Sequence, residues 1–261
     1  MVAMLAALPL LLVGGLWAGQ EKMIFIPARR QIGTPPGWES QTLRTEDGLD
    51  LAFLVAPPPP GAPVLLHFHG NGGNAEDRTG LGSLLRRAGY GVVLAEYRGY
   101  GGNPGRPGEE AFARDAAGYL AWVQARFPGH AVALWGESLG SGVVTRLAEG
   151  NPGFAALVLE SPFTSVADLA RGMYPVLPTD LLLRHRFESL SRLAGISAPV
   201  LVVASLEDRI TPPDHARRMA GAARDGTLAL LPGRAHPAVL NDESGAGVLQ
   251  ALAFLRRHLP R

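Results

Sequence analysis

The chain has 261 residues, with 24 Lys and Arg against 23 Asp and Glu and no cysteine. A near-neutral balance without any basic run excludes the concentrated positive patch by which a nucleic-acid partner is held through its phosphates. The lack of cysteine excludes disulfides, a thiolate nucleophile and thiolate metal sites, and the length, undivided by any Pro/Ser-rich linker, suits one large α/β domain with a well-buried core.

Val2 to Ala18 is an uncharged apolar run, close to the roughly 20 residues that a membrane-spanning helix needs. It has no basic start, and Leu16 and Trp17 stand where a signal cleavage site wants small residues. The expectation is a retained membrane anchor within residues 1–19 followed by one domain over residues 20–261, with export after cleavage as the alternative. Lys22, Arg29 and Arg30 are offset by Glu21, so the charge contrast leaves open which side the domain faces. Met23 to Pro27 reads as an edge strand. Glu39 to Arg44 and Leu49 to Val55 read as a hairpin turned at Glu46-Asp47-Gly48.

From Val64 onward short apolar runs recur: Val64 to Phe68, Gly91 to Ala95, Ala131 to Trp135, Ala155 to Leu159, Val200 to Ala204 and Thr227 to Leu231. Helical stretches separate them. This alternation predicts an α/β fold, a mostly parallel twisted sheet with helices on both faces and ligands at the carboxyl ends of its strands. Ser161 to Ala198 interrupts the alternation with Pro162, Pro175, Pro178 and short apolar patches, and reads as a small cap over that end. The apolar cap residues Met173, Tyr174, Val176, Leu177, Leu181, Leu182 and Leu183 have helical spacing and read as core. Met173, Tyr174 and Leu177 are the candidates for a substrate wall.

Between the run ending at Trp135 and the helical stretch Leu139 to Glu149 lies Gly136-Glu137-Ser138-Leu139-Gly140. A serine in such a G-x-S-x-G sits on a strand-to-helix turn tight enough to need glycine on both flanks, which pushes its hydroxyl out above the sheet. A hydroxyl becomes a nucleophile when a base takes its proton. Of seven histidines, His236 follows the last strand and emerges at the correct edge. A carboxylate must orient that imidazole; Asp208, after the penultimate strand, completes the chain order Ser138, Asp208, His236, with Glu207, Asp214 and Glu160 as rivals. An oxyanion needs two N–H donors, and those of Leu139 and Asn71 are the candidates. The loop His69-Gly70-Asn71-Gly72-Gly73-Asn74 could instead cradle a phosphate, but it matches neither G-x-G-x-x-G nor G-x-x-x-x-G-K-[ST]. Acyl transfer by such a site needs no metal and no organic cofactor.

Several linked stretches in order sharpen this reading. They are Ile24-Phe25-Ile26-Pro27, His67 through Asn74, Tyr97-Arg98-Gly99-Tyr100-Gly101, Trp135 through Gly140, Glu160-Ser161-Pro162-Phe163-Thr164-Ser165 and Arg186-Phe187-Glu188-Ser189. Together they make the chain similar to the BEM46-like serine hydrolases of the α/β-hydrolase superfamily, the group with ABHD13-type and ABHD17-type proteins. The resemblance implies hydrolysis of esters or thioesters, commonly of lipid-like acyl groups, and an N-terminal membrane anchor. It also implies that Tyr97 and Arg98 hold a turn beneath the site. Ala204-Ser205 and Gly233-Arg234-Ala235-His236-Pro237 depart from the family's usual sequences, and Pro237 removes a backbone donor directly after the base. A peptidase or amidase of the same fold and a non-catalytic membrane-anchored scaffold are the alternatives. Dehalogenases and epoxide hydrolases use aspartate where this chain has Ser138. No feature specifies an oligomeric state.

Overall fold

Five consecutive strands of this protein are apolar along nearly their whole length because both faces of each are covered. In the computed structural model they are β3 (Val64–Phe68), β4 (Gly91–Ala95), β5 (Val132–Glu137), β6 (Ala156–Glu160) and β7 (Val200–Ser205), each buried throughout, as strands sandwiched between helical layers must be. The hairpin β1 (Glu39–Arg44) and β2 (Asp50–Ala56) lies at one edge and β8 (Gly226–Leu231) at the other, giving the order β1-β2-β4-β3-β5-β6-β7-β8. The pairings β1–β2 and β2–β4 are antiparallel and all others are parallel. The structure describes residues 14–260 apart from residue 16. The anchor expected within Val2 to Ala18 therefore lies mostly outside the described residues, among which no helix is long and apolar enough to cross a membrane.

Side chains alternate along each strand and so feed two cores. Leu134 of β5 and Leu66 of β3 join one cluster, closed by α2 (Glu109–Arg126), α3 (Leu139–Ala148) and α7 (Pro213–Ala222). Ala133 and Trp135 of β5 join the other with Leu65 and Val203, closed by α1 (Thr79–Arg87) and α8 (Ala246–His258). Burying a leucine such as Leu134 contributes about 1.5–3 kcal/mol, and a one-residue slip in β5 would exchange the two sets.

Met23 to Pro27 is not a strand. Residues 17–24 are helical, and the Phe25 N–H donates to the Glu21 carbonyl at 2.8 Å. Ile26 N–H then donates to Asn71 Oδ1 at 2.9 Å, while the buried Phe25 ring meets Phe112 edge-on at 5.5 Å. An apolar run this short does not specify its hydrogen-bond partners; here they are a helix carbonyl and a side chain, and β1 takes the sheet edge.

The proline-rich stretch after β6 holds three short helices, α4 (Val166–Met173), α5 (Thr179–Leu182) and α6 (Leu190–Leu193). Ser165 caps α4 by accepting the Asp168 N–H at 3.0 Å. The two ends of the stretch are clasped, because the Thr164 carbonyl accepts the N–H groups of Ser189 at 2.9 Å and Leu190 at 3.0 Å.

Candidate active site

The Ser138 backbone has φ 48° and ψ −113° at the junction of β5 and α3. This is a conformation that a non-glycine residue holds only when its surroundings impose it, at a cost of about 1–3 kcal/mol. The flanking glycines are what make the turn possible. A Cβ at Gly140 would overlap the Phe68 carbonyl, and one at Gly136 would overlap the Gly140 carbonyl. The Ser138 N–H donates to the Glu160 carbonyl at 2.8 Å, tying the turn to the end of β6.

Around that serine the structure brings together side chains from three strand ends. His236 Nε2 is 3.0 Å from Ser138 Oγ, and His236 Nδ1 is 2.7 Å from Asp208 Oδ2. The other Asp208 oxygen accepts the N–H groups of Ile210 at 2.8 Å and Thr211 at 3.0 Å, and the Thr211 hydroxyl donates to Oδ2 at 3.0 Å. Burial would raise the Asp208 carboxyl, but the bond to His236, its charge and these N–H donors hold it below the usual carboxylate range. The rival acids go elsewhere. Glu207 is exposed and pairs with Arg234 at 3.0 Å, and Asp214 lies in the first turn of α7. Glu160 is buried and accepts the Trp135 indole N–H at 2.9 Å and the N–H groups of Val239 and Leu240 at 2.8 and 2.9 Å. Burial and the neighbouring Glu137 push its carboxyl up to about 7.

Leu139 opens α3, so its N–H has no intrahelical acceptor, and among the described residues the Asn71 N–H has no protein acceptor. Both residues line the cavity beside Ser138. The Asn71 side chain is held from two sides, its Oδ1 accepting the Ile26 N–H and the Tyr100 hydroxyl, each at 2.9 Å. Beneath this loop Tyr97 donates its hydroxyl to the His69 carbonyl at 2.8 Å. Arg98 binds Asp115 and Asp47.

Reading the sequence missed one element of the site. Arg78 and Glu137, 59 positions apart, form a buried pair with Nε–Oε2 at 2.9 Å and Nη2–Oε1 at 2.5 Å, and the Gly70 N–H donates to Glu137 Oε1 at 3.1 Å. The pair thereby fixes the backbone directly before Asn71. Burial would raise the Glu137 carboxyl, but Arg78 holds it below the usual range. His67 is buried alongside, its Nε2 4.0 Å from Glu137 Oε2 and without a hydrogen-bond partner among the described residues. Burial pushes that imidazole down to about 3. The available signal is the position of Glu137, a charge in an apolar strand next to the Ser138 turn.

A cavity of about 610 Å³ opens over Ser138 and His236, within the usual range for small-molecule sites. Met173, Tyr174 and Leu177 line it together with Leu169, Leu182 and Leu183. These cap residues are therefore walls, which corrects the expectation of core. Val176 and Leu181 are 90% and 85% exposed. Helices of eight and four residues are too short to present a continuous buried face. The N-terminal segment adds Trp17, Ile24 and Ile26 to the lining. Among the described residues no group of three or more His, Asp or Glu is placed to hold a metal ion.

A family model for the alpha/beta hydrolase fold matches residues 63–187, a span that contains Asn71, Ser138 and Leu139 and stops before Asp208 and His236. An uncharacterized protein of Mycobacterium tuberculosis is 37% identical over 230 residues, covering 85% of this chain and 82% of that protein. The chain belongs to the α/β-hydrolase family. Its ABHD-type relatives include the lysophosphatidylserine lipase ABHD12 of Danio rerio, 35% identical over 170 residues. That match covers 58% of this α/β-hydrolase and 44% of the lipase. The α/β-hydrolase domain-containing protein WAV2 of Arabidopsis thaliana is 28% identical over 77% of the chain and 75% of its own length. Among solved structures an esterase of Pyrococcus furiosus superposes with a TM-score of 0.73 at 17% identity, over 90% of this hydrolase and 99% of the esterase. At that identity the likeness is one of fold.

Proposed function

We propose that this α/β-hydrolase is a membrane-anchored serine esterase that cleaves carboxylic ester or thioester bonds of lipid-like acyl substrates through an acyl-enzyme. The observation that carries the reading is the unbroken line from Ser138 Oγ through the His236 ring to Asp208, at 3.0 and 2.7 Å, beneath an apolar cavity. Ser138 Oγ attacks the acyl carbonyl while its proton passes to His236 Nε2, and Asp208 stabilises the imidazolium. The Leu139 and Asn71 N–H groups hold the oxyanion, where loss of one donor typically costs about 2.7–4 kcal/mol of barrier. Collapse expels the alcohol or thiol, which leaves with the proton from His236. Water, deprotonated by the same imidazole, attacks the acyl-enzyme, and the carboxylic acid departs as Ser138 is regenerated.

The apolar walls favour an acyl chain, and the names of the lipase and esterase relatives point to the same substrate class. In this reading residues 1–19 anchor the chain, residues 20–261 form the hydrolase domain and about 161–198 its cap. The test is labelling of the full chain by a fluorophosphonate beside Ser138→Ala, with hydrolysis of p-nitrophenyl esters of increasing chain length. Wild type alone should label and turn over. A folded wild type that does neither would overturn the proposal.

A further inference from the structure

Of the twelve large apolar side chains exposed among the described residues, Leu84, Leu206, Leu228 and Leu249 lie away from the cavity and the other eight gather at or beside it. Trp17, Met23, Ile26, Met173, Tyr174 and Ile210 are all large, all exposed, and all line the one cavity over Ser138. Since they both line the cavity and meet solvent, they form its rim. Val176 and Leu181 extend the patch from within the cap, each beside a cavity-lining residue and each almost fully exposed. A contiguous apolar surface of this kind marks an interaction face. Three separate segments contribute to it: the N-terminal helix, the cap and the loop after Asp208.

We infer that this rim is a bilayer-docking face, inserted into the lipid interface so that the cavity opens directly into the acyl layer. The occupant follows from the chain leading into the rim. Residues 2–13 are uncharged and apolar throughout by sequence, and four positions further along is Trp17, which lies on a helix and lines the cavity. That helix is fastened to the cap. Gln20 Nε2 donates to the Leu182 carbonyl at 3.1 Å, and Gln20 Oε1 accepts the Arg184 N–H at 2.7 Å. Trp17 and Tyr174 are the side-chain types that settle at a membrane–water boundary. The arginines of the polar belt behind the rim are paired, with Arg171–Asp180 at 2.6 Å, Arg186–Glu188 at 2.7 Å and Arg184–Glu21 at 3.4 Å. Docking is therefore driven by apolar insertion, and zwitterionic lipid suffices. The geometry is independent of the esterase reading; only its use for substrate entry rests on that reading.

The absence of cysteine allows one reporter at a time. The full chain carrying Val176→Cys, Leu181→Cys or, far from the rim, Glu46→Cys is labelled with an environment-sensitive NBD fluorophore and mixed with phosphatidylcholine vesicles containing nitroxide lipids. Labels at 176 and 181 should shift to the blue and be quenched by the nitroxide at both low and high salt, while the label at 46 should do neither. Unchanged spectra at 176 and 181 on protein that floats with the vesicles would mean that the N-terminal run alone holds the chain, and would overturn the inference. So would failure to float, or a blue shift without lipid that grows with protein concentration, which would identify a second copy as the occupant. In a second arm, the double change Val176→Asp and Leu181→Asp alters no residue of the cavity lining. It should lower turnover of a long-chain ester embedded in vesicles by about tenfold, with p-nitrophenyl butyrate turnover in buffer unchanged. Equal losses on the two substrates would overturn the entry route. No turnover of either substrate by the wild type would refute the esterase reading and leave the fluorescence result standing.

Discussion

Replacing Arg78 by methionine tests whether the pair beneath the Gly70–Asn71 loop is structural. The side chains of Arg78 and Glu137 are 7% and 1% exposed, and two hydrogen bonds join them. Arg78→Met leaves a buried carboxylate with only the Gly70 N–H and a distant, neutral His67. Breaking one partner of such a pair costs about 3–5 kcal/mol. With a urea slope of about 3 kcal/mol per molar, the unfolding midpoint should fall by roughly 1–1.7 M. Without Arg78, burial raises the Glu137 carboxyl above its unfolded value. Stability contributed by a raised carboxyl is present below the unfolded pKa and lost as pH rises, so the deficit should be larger at pH 8 than at pH 5. Adding Glu137→Gln removes the stranded charge and should recover most of the loss. Urea unfolding followed by tryptophan fluorescence at the two pH values reads all of this. A single variant within about 1 kcal/mol of wild type, or a double variant no better than the single, would refute the reasoning.

Gly140→Ala places a methyl group into the Phe68 carbonyl and should lower Tm by about 10 °C or more, or prevent folding; a wild-type Tm would show that the elbow can relax. His67 is held down to about 3 by burial. Its contribution is therefore present above the unfolded value near 6.5 and lost as pH falls toward 3, about 2 kcal/mol of it by pH 5. His67→Phe should remove that part of the acid sensitivity, and parallel decline of the two proteins in urea titrations at pH 7 and 5 would contradict it. Tyr100→Phe deletes one of the two bonds that hold Asn71 Oδ1, worth about 1 kcal/mol. We expect ester kcat lowered about fivefold with KM and Tm little changed; an unaltered kcat would show that Ile26 alone positions the loop.

Much of the frame could be read from the residues because parallel strands buried on both faces leave uninterrupted apolar runs. Val64–Phe68 and Gly91–Ala95 coincide with those runs, and the other parallel strands differ from them by one or two residues at one or both ends. Ser138, Asp208 and His236 could be selected by chain order and strand-end position, and the folded chain puts them within hydrogen-bond reach. What could not be read has a common cause. The partners of Ile26 N–H, Gly70 N–H and Arg78 lie 45, 67 and 59 positions away, and nothing local marks them. Arg78 reads as an ordinary surface charge until the fold closes over it. The cap failed for a different reason: an apolar residue on a short helix has the same local pattern whether it faces a core or an open cavity.

The clasp at Thr164 makes part of the cap detachable. The Thr164 carbonyl receives the N–H groups of both Ser189 and Leu190, and the returning half of the cap is tied to the body by the buried Phe187, whose N–H donates to Glu109 at 3.0 Å, and by the Gln20 bonds to Leu182 and Arg184, so the exchangeable part runs from Ala170 to Pro178. The Ser138 turn, the His236 loop and the Asp208 loop are all tied to the sheet without passing through that interval; the Ala238 N–H, for example, donates to Ser161 Oγ at 2.9 Å. A segment of different length or polarity grafted between those two positions should reshape the walls of the cavity while leaving the chemistry where it is. Such an architecture would let one hydrolytic centre be refitted to new substrates by exchanging a single surface module.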